Sequence, residues 1–209
     1  MAFYKKIQVS PLTSVLIWKI EEDFNDLFRQ IRLKDVSLAR LERMKSESHQ
    51  KGFLSIRHLL KVAGYSDFDL FYDEDGKPNL RDGMQISITH SNNFSAIIIG
   101  NQNVGIDIEL QRQKIIRIAD KFIDYEFDYL DKDAVDYIKK LTVIWGAKEA
   151  KYKMCNSRSL SFKDDMRVLS FNLKDGIGEA SVHQNDFDKK FQFFFEEFEN
   201  FTLVYALEK

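Results

Sequence analysis

The stretch Val104-Gly105-Ile106-Asp107-Ile108-Glu109, in the middle of the chain, alternates apolar and acidic side chains. Residues two positions apart on a β-strand point to the same face, so the pattern predicts a strand with Val104, Ile106 and Ile108 on an apolar face. Asp107 and Glu109 then share the opposite face. Such a pair is either the polar outer face of an edge strand or a pair of hard oxygen ligands for a cation.

The composition around this strand indicates a globular chain with a real core. The 209 residues correspond to about 1.4 typical domains of ~150 residues, which decides neither one domain nor two. Lys and Arg (31) nearly balance Asp and Glu (33). This balance excludes a global basic surface for nucleic acid or an anionic membrane, so any phosphate must be bound by a local cluster of cations.

A single cysteine, Cys155, excludes an internal disulfide and a thiolate metal cluster, and it fits a reducing compartment. The first residues lack the features of a signal peptide, and no stretch approaches the ~20 apolar residues that span a bilayer. We therefore expect a soluble, cytoplasmic protein.

Hydrophobic periodicity predicts helices followed by strands, twice. The first half has a strand at 12–18, helices at 21–32, 35–47 and 49–63, a short strand at 68–72, and an antiparallel meander at 85–90, 94–100 and 104–109. The second half has helices at 115–130 and 133–154, then strands at 166–171, 178–183, 190–197 and 201–207. A faint repeat aligns 93–98 with 200–205, but any two strands share such patterns, so duplication and chance both stay open.

A third carboxylate, Glu149, lies one turn before Lys153 in the predicted helix Trp145-Gly146-Ala147-Lys148-Glu149-Ala150-Lys151-Tyr152-Lys153. Residues four apart share a helix face, so the two form either an ordinary surface ion pair or part of a site. Together with Asp107 and Glu109, Glu149 would complete the set of oxygen ligands that Mg²⁺ takes when it carries a polyphosphate.

Taken in order, four segments resemble the signature series of the 4′-phosphopantetheinyl transferase superfamily, of the Sfp type. They are Gly76-Lys77-Pro78, Ile88-Thr89-His90-Ser91, Gly105-Ile106-Asp107-Ile108-Glu109 and Trp145-Gly146-Ala147-Lys148-Glu149-Ala150 with Lys153. The resemblance implies an α+β fold of two similar lobes related by a pseudo-twofold, each a mostly antiparallel sheet packed with helices. The lobes would be 1–103 and 104–209, tightly packed around a shared active-site cleft.

The same resemblance implies transfer of the 4′-phosphopantetheine arm of coenzyme A to a serine of an apo acyl or peptidyl carrier protein. The reaction would depend on Mg²⁺ and release adenosine 3′,5′-bisphosphate. Coenzyme A and the carrier would be the partners of a monomer that binds neither nucleic acid nor a membrane. Two alternatives are a catalytically inactive module that binds coenzyme A or a carrier, and a Mg²⁺-dependent nuclease, which the absent basic surface disfavours.

The resemblance also assigns roles to individual residues. Asp107, Glu109 and Glu149 would hold the metal. Glu149 would act as the base, directly or through a water, and Lys153 would stabilise charge on the departing phosphate. Contacts to coenzyme A are assigned to Lys51, Arg57, Lys77, Thr89, His90 and Lys153. After Lys153 relatives usually carry glycines that this chain lacks, and Asn156 is expected to replace one of them, because Asn tolerates a left-handed backbone.

Overall fold

A computed structural model of the protein describes residues 3–155, 160–184 and 187–208. The chain divides into two compact units, residues 1–103 and residues 104–209. Each unit contains an antiparallel sheet packed with helices, so the predicted α+β class is confirmed.

The first unit, as far as it is described, has a six-stranded sheet in the order β1-β2-β6-β5-β4-β3. Its strands are β1 (Phe3–Ser10), β2 (Thr13–Lys19), β3 (Leu70–Tyr72), β4 (Pro78–Leu80), β5 (Gln85–Ser91) and β6 (Phe94–Gly100). Its helices are α1 (Phe24–Arg29), α2 (Asp35–Glu42) and α3 (Glu47–Val62). Helix α3 packs on β2, β5 and β6. Ile56, Leu59 and Leu60 place its apolar stripe in the core against Leu16 and Ile97.

The second unit has a five-stranded sheet among its described residues, in the order β7-β11-β10-β9-β8. Its strands are β7 (Val104–Leu110), β8 (Met166–Val168), β9 (Ile177–Gln184), β10 (Phe187–Phe198) and β11 (Phe201–Leu207). Helix α4 (Tyr137–Cys155) packs on β7 and β11. Short 3₁₀ helices occupy Gln113–Lys121, Tyr125–Asp128 and Leu173–Asp175. No helix in the described part of the chain has the length and apolar character needed to cross a membrane.

The predicted meander was wrong at its third strand. Strand β7 pairs with β11 and belongs to the second sheet, whereas β5 and β6 pair with each other in the first. Pairing partners depend on contacts far apart in sequence, which strand spacing does not report. The prediction also missed β1 and β4, and the helix expected at 115–130 consists of two 3₁₀ helices.

The two segments aligned by the faint repeat contain the first residues of β6 and β11, which occupy similar positions in their sheets. Strand β6 lies between β2 and β5 in the first sheet, and β11 lies between β7 and β10 in the second. Each follows a tight turn with left-handed backbone, at Asn92 (φ 52°) in the first unit and at Glu199 and Asn200 (φ 46° and 65°) in the second. The repeated pattern therefore marks an inner strand in each sheet.

A fully buried ion pair anchors α4 to the rest of the second unit. The Nζ of Lys148 lies 2.7 Å from Oε1 of Glu126, and neither side chain is exposed. Lys148 also donates to the carbonyl oxygens of Phe122 (2.6 Å) and Phe162 (2.9 Å). The same Glu126 oxygen accepts from the amide of Val168 at 2.8 Å. Burial lowers the pKa of Lys148, and the charge of Glu126 opposes that shift.

Lys148→Met should lower the free energy of unfolding by about 3–5 kcal/mol, because it leaves the Glu126 carboxylate buried without its counter-ion. Equilibrium unfolding in urea would measure the loss. The matched control is Lys140→Met on the same helix, which removes an i,i+4 ion pair with the partly exposed Asp136 just before the helix. That control should cost less than about 1 kcal/mol. Equal losses in both variants would contradict the structural role of Lys148.

Candidate carboxylate and phosphate sites

Asp107 and Glu109 lie on β7, where they pair with Val204 and Thr202 of β11. Ile106 and Ile108 are fully buried, as the alternation of the sequence predicts. The Asp107 side chain is itself buried, and Glu109 is half-buried. Both carboxylates therefore lie on one face of a strand, in a partly desolvated setting.

Two glycines let α4 lie very close to the sheet. A Cβ at Gly105 of β7 would lie 1.9 Å from the carbonyl oxygen of Ala150 on α4. A Cβ at Gly146 of α4 would lie 2.6 Å from a methyl of Val204 and 3.9 Å from Oδ2 of Asp107. Side chains at these two positions would separate the helix from the strands. This contact brings the following turn of α4, which carries Glu149 and Lys153, over β7.

Lys153 is anchored on β7. Its Nζ donates to the carbonyl oxygen of Ile106 at 2.8 Å and to Oδ1 of Asp107 at 2.9 Å. The lysine side chain keeps 28% of its exposure, whereas Asp107 keeps 7%. Lys153 thus neutralises part of the charge on Asp107 while its side chain stays partly exposed.

Glu149 lies in the field of the other two carboxylates. The pKa of Glu149 is raised to about 7, first by burial and then by the negative charge of Asp107, with a smaller contribution from Glu109, while the charge of Lys153 opposes the shift. Asp107 and Glu109 therefore lie near enough to Glu149 for their charges to act on its carboxyl group. Half-buried carboxylates that repel one another are the setting in which a divalent cation is stabilising.

The donor set suits Mg²⁺ in its chemistry, since three carboxylates provide the hard oxygens that this ion binds. Within residues 3–155, 160–184 and 187–208, however, no three His, Cys, Asp or Glu side chains are placed as a ready metal cluster. Lys153 already contacts one oxygen of Asp107. The residues therefore fit a cation by type and by charge.

A second group of predicted residues lies in the first unit, around the N-terminal half of α3. A Cβ at Gly52 would lie 2.6 Å from Cδ2 of His90, so the imidazole of His90 packs directly on the helix at the glycine. The ring of His49 meets that of His90 edge-on, with centroids 5.9 Å apart. His90 is exposed at the end of β5, while the preceding Thr89 is buried.

Lys51 belongs to the same region, and Lys77 lies elsewhere in the unit. Lys51 forms an i,i+4 ion pair with Glu47 at 3.3 Å and lines a pocket of about 530 Å³. Asn92 and Asn93, which follow His90 in the β5–β6 turn, line that pocket too. Lys77 follows the turn at Gly76 (φ 85°), and its Nζ donates to Oδ1 of Asn103 at 3.2 Å.

The position of Arg57 corrects its predicted role. The guanidinium is buried and pairs with Asp67 at 3.0 Å, donates to the carbonyl oxygen of Phe53 and stacks on the Phe53 ring at 3.4 Å. Its pKa is lowered by this burial, which the charge of Asp67 opposes. A cation committed to a buried carboxylate stabilises the fold, so we assign Arg57 a structural role in place of phosphate binding.

The sequence analysis did not identify Gly52 and Gly146 as functional positions. An isolated Gly inside a helical pattern signals a close approach of another element, and both glycines carry that signal. The local sequence does not show which residue approaches each glycine. Asn156, expected to replace a glycine of the loop, lies outside the described residues.

Comparison with known proteins identifies one family. Residues 103–206 match the model of the 4′-phosphopantetheinyl transferase superfamily. The matched region begins just before β7 and includes all of α4, so it contains Asp107, Glu109, Glu149 and Lys153. No curated protein shows significant similarity to the chain.

Gly105→Ala should destabilise the protein by about 1–3 kcal/mol or more, because the new methyl meets the backbone of α4, which cannot rotate away. Gly146→Ala meets a methyl of Val204 instead, and Val204→Ala removes that methyl. The double variant should therefore recover part of the Gly146→Ala loss, with a coupling energy of at least about 0.5 kcal/mol. Urea unfolding of the four variants would measure both effects. Strict additivity of Gly146→Ala and Val204→Ala would contradict the close contact.

Proposed function

Because the chain belongs to the 4′-phosphopantetheinyl transferase superfamily, we propose that it moves the phosphopantetheine arm of coenzyme A onto a serine of an apo carrier protein. Family membership supports phosphopantetheine transfer in general. The carrier as acceptor, the need for Mg²⁺ and the release of adenosine 3′,5′-bisphosphate are our proposal. The observation that carries it is the approach of Glu149 and Lys153 to Asp107 across the α4–β7 contact.

In the proposed reaction, the serine Oγ of the carrier forms a bond to the phosphorus next to the pantetheine arm. The bond from that phosphorus to the bridging oxygen breaks, and its electron pair leaves with adenosine 3′,5′-bisphosphate. Glu149 takes the serine proton, directly or through a water. Lys153 donates to the departing phosphate, where negative charge develops.

Asp107, Glu109 and Glu149 are the residues that would hold Mg²⁺. Bound there, the ion would supply positive charge to the pyrophosphate of coenzyme A. Lys153 keeps Asp107 in position through its 2.9 Å hydrogen bond, and we propose that this partly exposed side chain also contacts a substrate phosphate.

The resemblance suggests further residues that contact coenzyme A. We propose that His90 and Lys51 bind phosphate oxygens. The ring of His90 on β5 packs on α3 at Gly52, the residue after Lys51, and both side chains carry the N–H donors that phosphates require. Lys77 and Thr89 are proposed as additional contacts on the strength of the resemblance. We further propose that the protein acts as a monomer in the cytoplasm, where coenzyme A and carrier proteins are present.

The assay incubates the protein with coenzyme A, Mg²⁺ and a panel of apo carriers, and follows each carrier by intact mass. Glu149→Gln and Asp107→Asn should lower the rate by about 10²–10⁴-fold while the protein stays folded, because they remove the base and a metal ligand. Asp136→Asn, which removes a partly exposed carboxylate just before the same helix, should keep full activity.

The outcomes separate the proposal from its alternatives. Absence of an added arm on every carrier, together with calorimetric binding of coenzyme A, would favour a binding module over an enzyme. Full activity of Glu149→Gln would refute its assignment. Cleavage of nucleic acid that persists at saturating coenzyme A would support a nuclease instead.

Gly52→Ala gives an independent test of His90. Ala is favoured over Gly in a helix by about 1 kcal/mol, so the variant should fold at least as well as the wild type. Its methyl would displace the His90 ring and thereby raise KM for coenzyme A with little change in kcat. The same substitution in a His90→Ala background should have no further effect on KM. A full additional loss there would show that Gly52 acts on something other than His90.

A further inference from the structure

Lys151 lies on the side of α4 that faces away from the carboxylates. Successive residues of an α-helix are about 100° apart, so Lys151 is about 200° from both Glu149 and Lys153. Its side chain is 4% exposed. A lysine in this position is unusual, since lysines are rarely buried without a partner.

The surroundings of Lys151 provide little compensation for its charge. Its Nζ lies 5.0 Å from the centroid of the Phe191 ring on β10. Among residues 3–155, 160–184 and 187–208 it makes no hydrogen bond or ion pair. Lys148, one turn away and also buried, has a carboxylate and two carbonyl oxygens as partners. A cation over an aromatic ring is stabilised much less than a cation paired with a carboxylate. Lys151 therefore lacks the hydrogen-bond acceptor that usually accompanies a buried ammonium.

The side chain of Lys151 opens into a pocket of about 250 Å³ in the second unit. The pocket is lined by Lys151, Glu179, Lys189, Lys190, Phe191, Gln192, Leu207 and Glu208. Phe191 and Leu207 form its apolar wall. Lys190 is exposed on β10, and Lys189 forms an ion pair with Glu208 at the end of β11.

The charges of the lining favour an anion. Three lysines face two glutamates, and Lys189 and Glu208 neutralise each other. Lys151 and Lys190 remain, opposed by Glu179, which is exposed at the rim. An anion that reaches Lys151 would accept a charge-assisted hydrogen bond from the ammonium of a residue that is only 4% exposed.

We propose that this pocket is a binding site for a small oxyanion, a phosphate monoester or a carboxylate, with Lys151 as the donor at its base and Lys190 at its mouth. Phe191 and Leu207 would contact an apolar substituent of the ligand. The site goes beyond the proposed transfer reaction, because it lies on the opposite face of α4 from Glu149 and uses none of the residues assigned to coenzyme A.

The test is a titration of the full ¹⁵N-labelled chain with sodium phosphate or sodium acetate, and with sodium chloride at matched ionic strength, followed by amide chemical shifts. Phosphate, acetate or both should shift the amides of Lys190, Phe191, Gln192 and Leu207 in a saturable way, whereas chloride should not. Phosphate alone would indicate a phosphate ester as the ligand, and acetate alone a carboxylate. The absence of saturable shifts with both anions would overturn the proposal.

Lys151→Met keeps the length of the side chain and removes its charge. It should weaken anion binding at these amides by at least about tenfold, since it removes a hydrogen bond to a charged group. Shifts near Asp107 or Glu149 should be unchanged, which separates this site from the proposed transfer site. Lys190→Gln, at an exposed position, should weaken binding without affecting the fold, and Lys174→Gln, an exposed cation on a 3₁₀ helix, should have no effect. Unchanged affinity in Lys151→Met and Lys190→Gln would overturn the assignment.

Discussion

The contact between α4 and the β7–β11 edge of the second sheet is the constraint on which the carboxylate site depends. Gly105 and Gly146 make this contact possible, because a Cβ at either position would overlap atoms of the facing element. The helix is thereby close enough for Lys153 to reach both the backbone and a carboxylate of β7. A wider separation would leave Asp107 and Glu149 as ordinary acidic residues on two independent elements.

Electrostatics explains why this arrangement needs a rigid frame. Asp107, Glu109 and Glu149 repel one another, and burial makes that repulsion stronger, as the raised pKa of Glu149 shows. The packing of α4 and the pairing of β7 with β11 oppose the repulsion. The buried Lys148–Glu126 pair adds a fixed point on the helix, at a residue directly before Glu149. Lys148 and Glu149 are neighbours with different roles. Lys148 anchors the helix through its ion pair with Glu126, and Glu149 faces the acidic side chains of β7.

Local patterns predicted much of this correctly. Alternation placed Asp107 and Glu109 on one strand face, and four-residue spacing placed Glu149 with Lys153, because both periodicities follow from backbone geometry. The same patterns failed for Arg57, which has the sequence context of a surface helix and is buried against Asp67. They also assigned β7 to the wrong sheet, since its partner β11 begins some ninety residues later in the chain. Burial and strand pairing are decided by contacts between distant segments, and spacing carries no information about them.

The sequence by itself determined the α+β class, the ordered motifs of the superfamily and the residue types of the candidate site, since these depend on periodicity and on side-chain chemistry. Only the tertiary structure decided that Gly52 receives the ring of His90, that Gly105 and Gly146 bring α4 onto the sheet, and that Lys148 is paired while Lys151 is not. The two lysines are three residues apart on one buried helix, and the sequence does not tell them apart. Their difference arises because Glu126 forms an ion pair with Lys148, whereas the ammonium of Lys151 lies over the aromatic ring of Phe191 and has no ion pair in the described part of the chain.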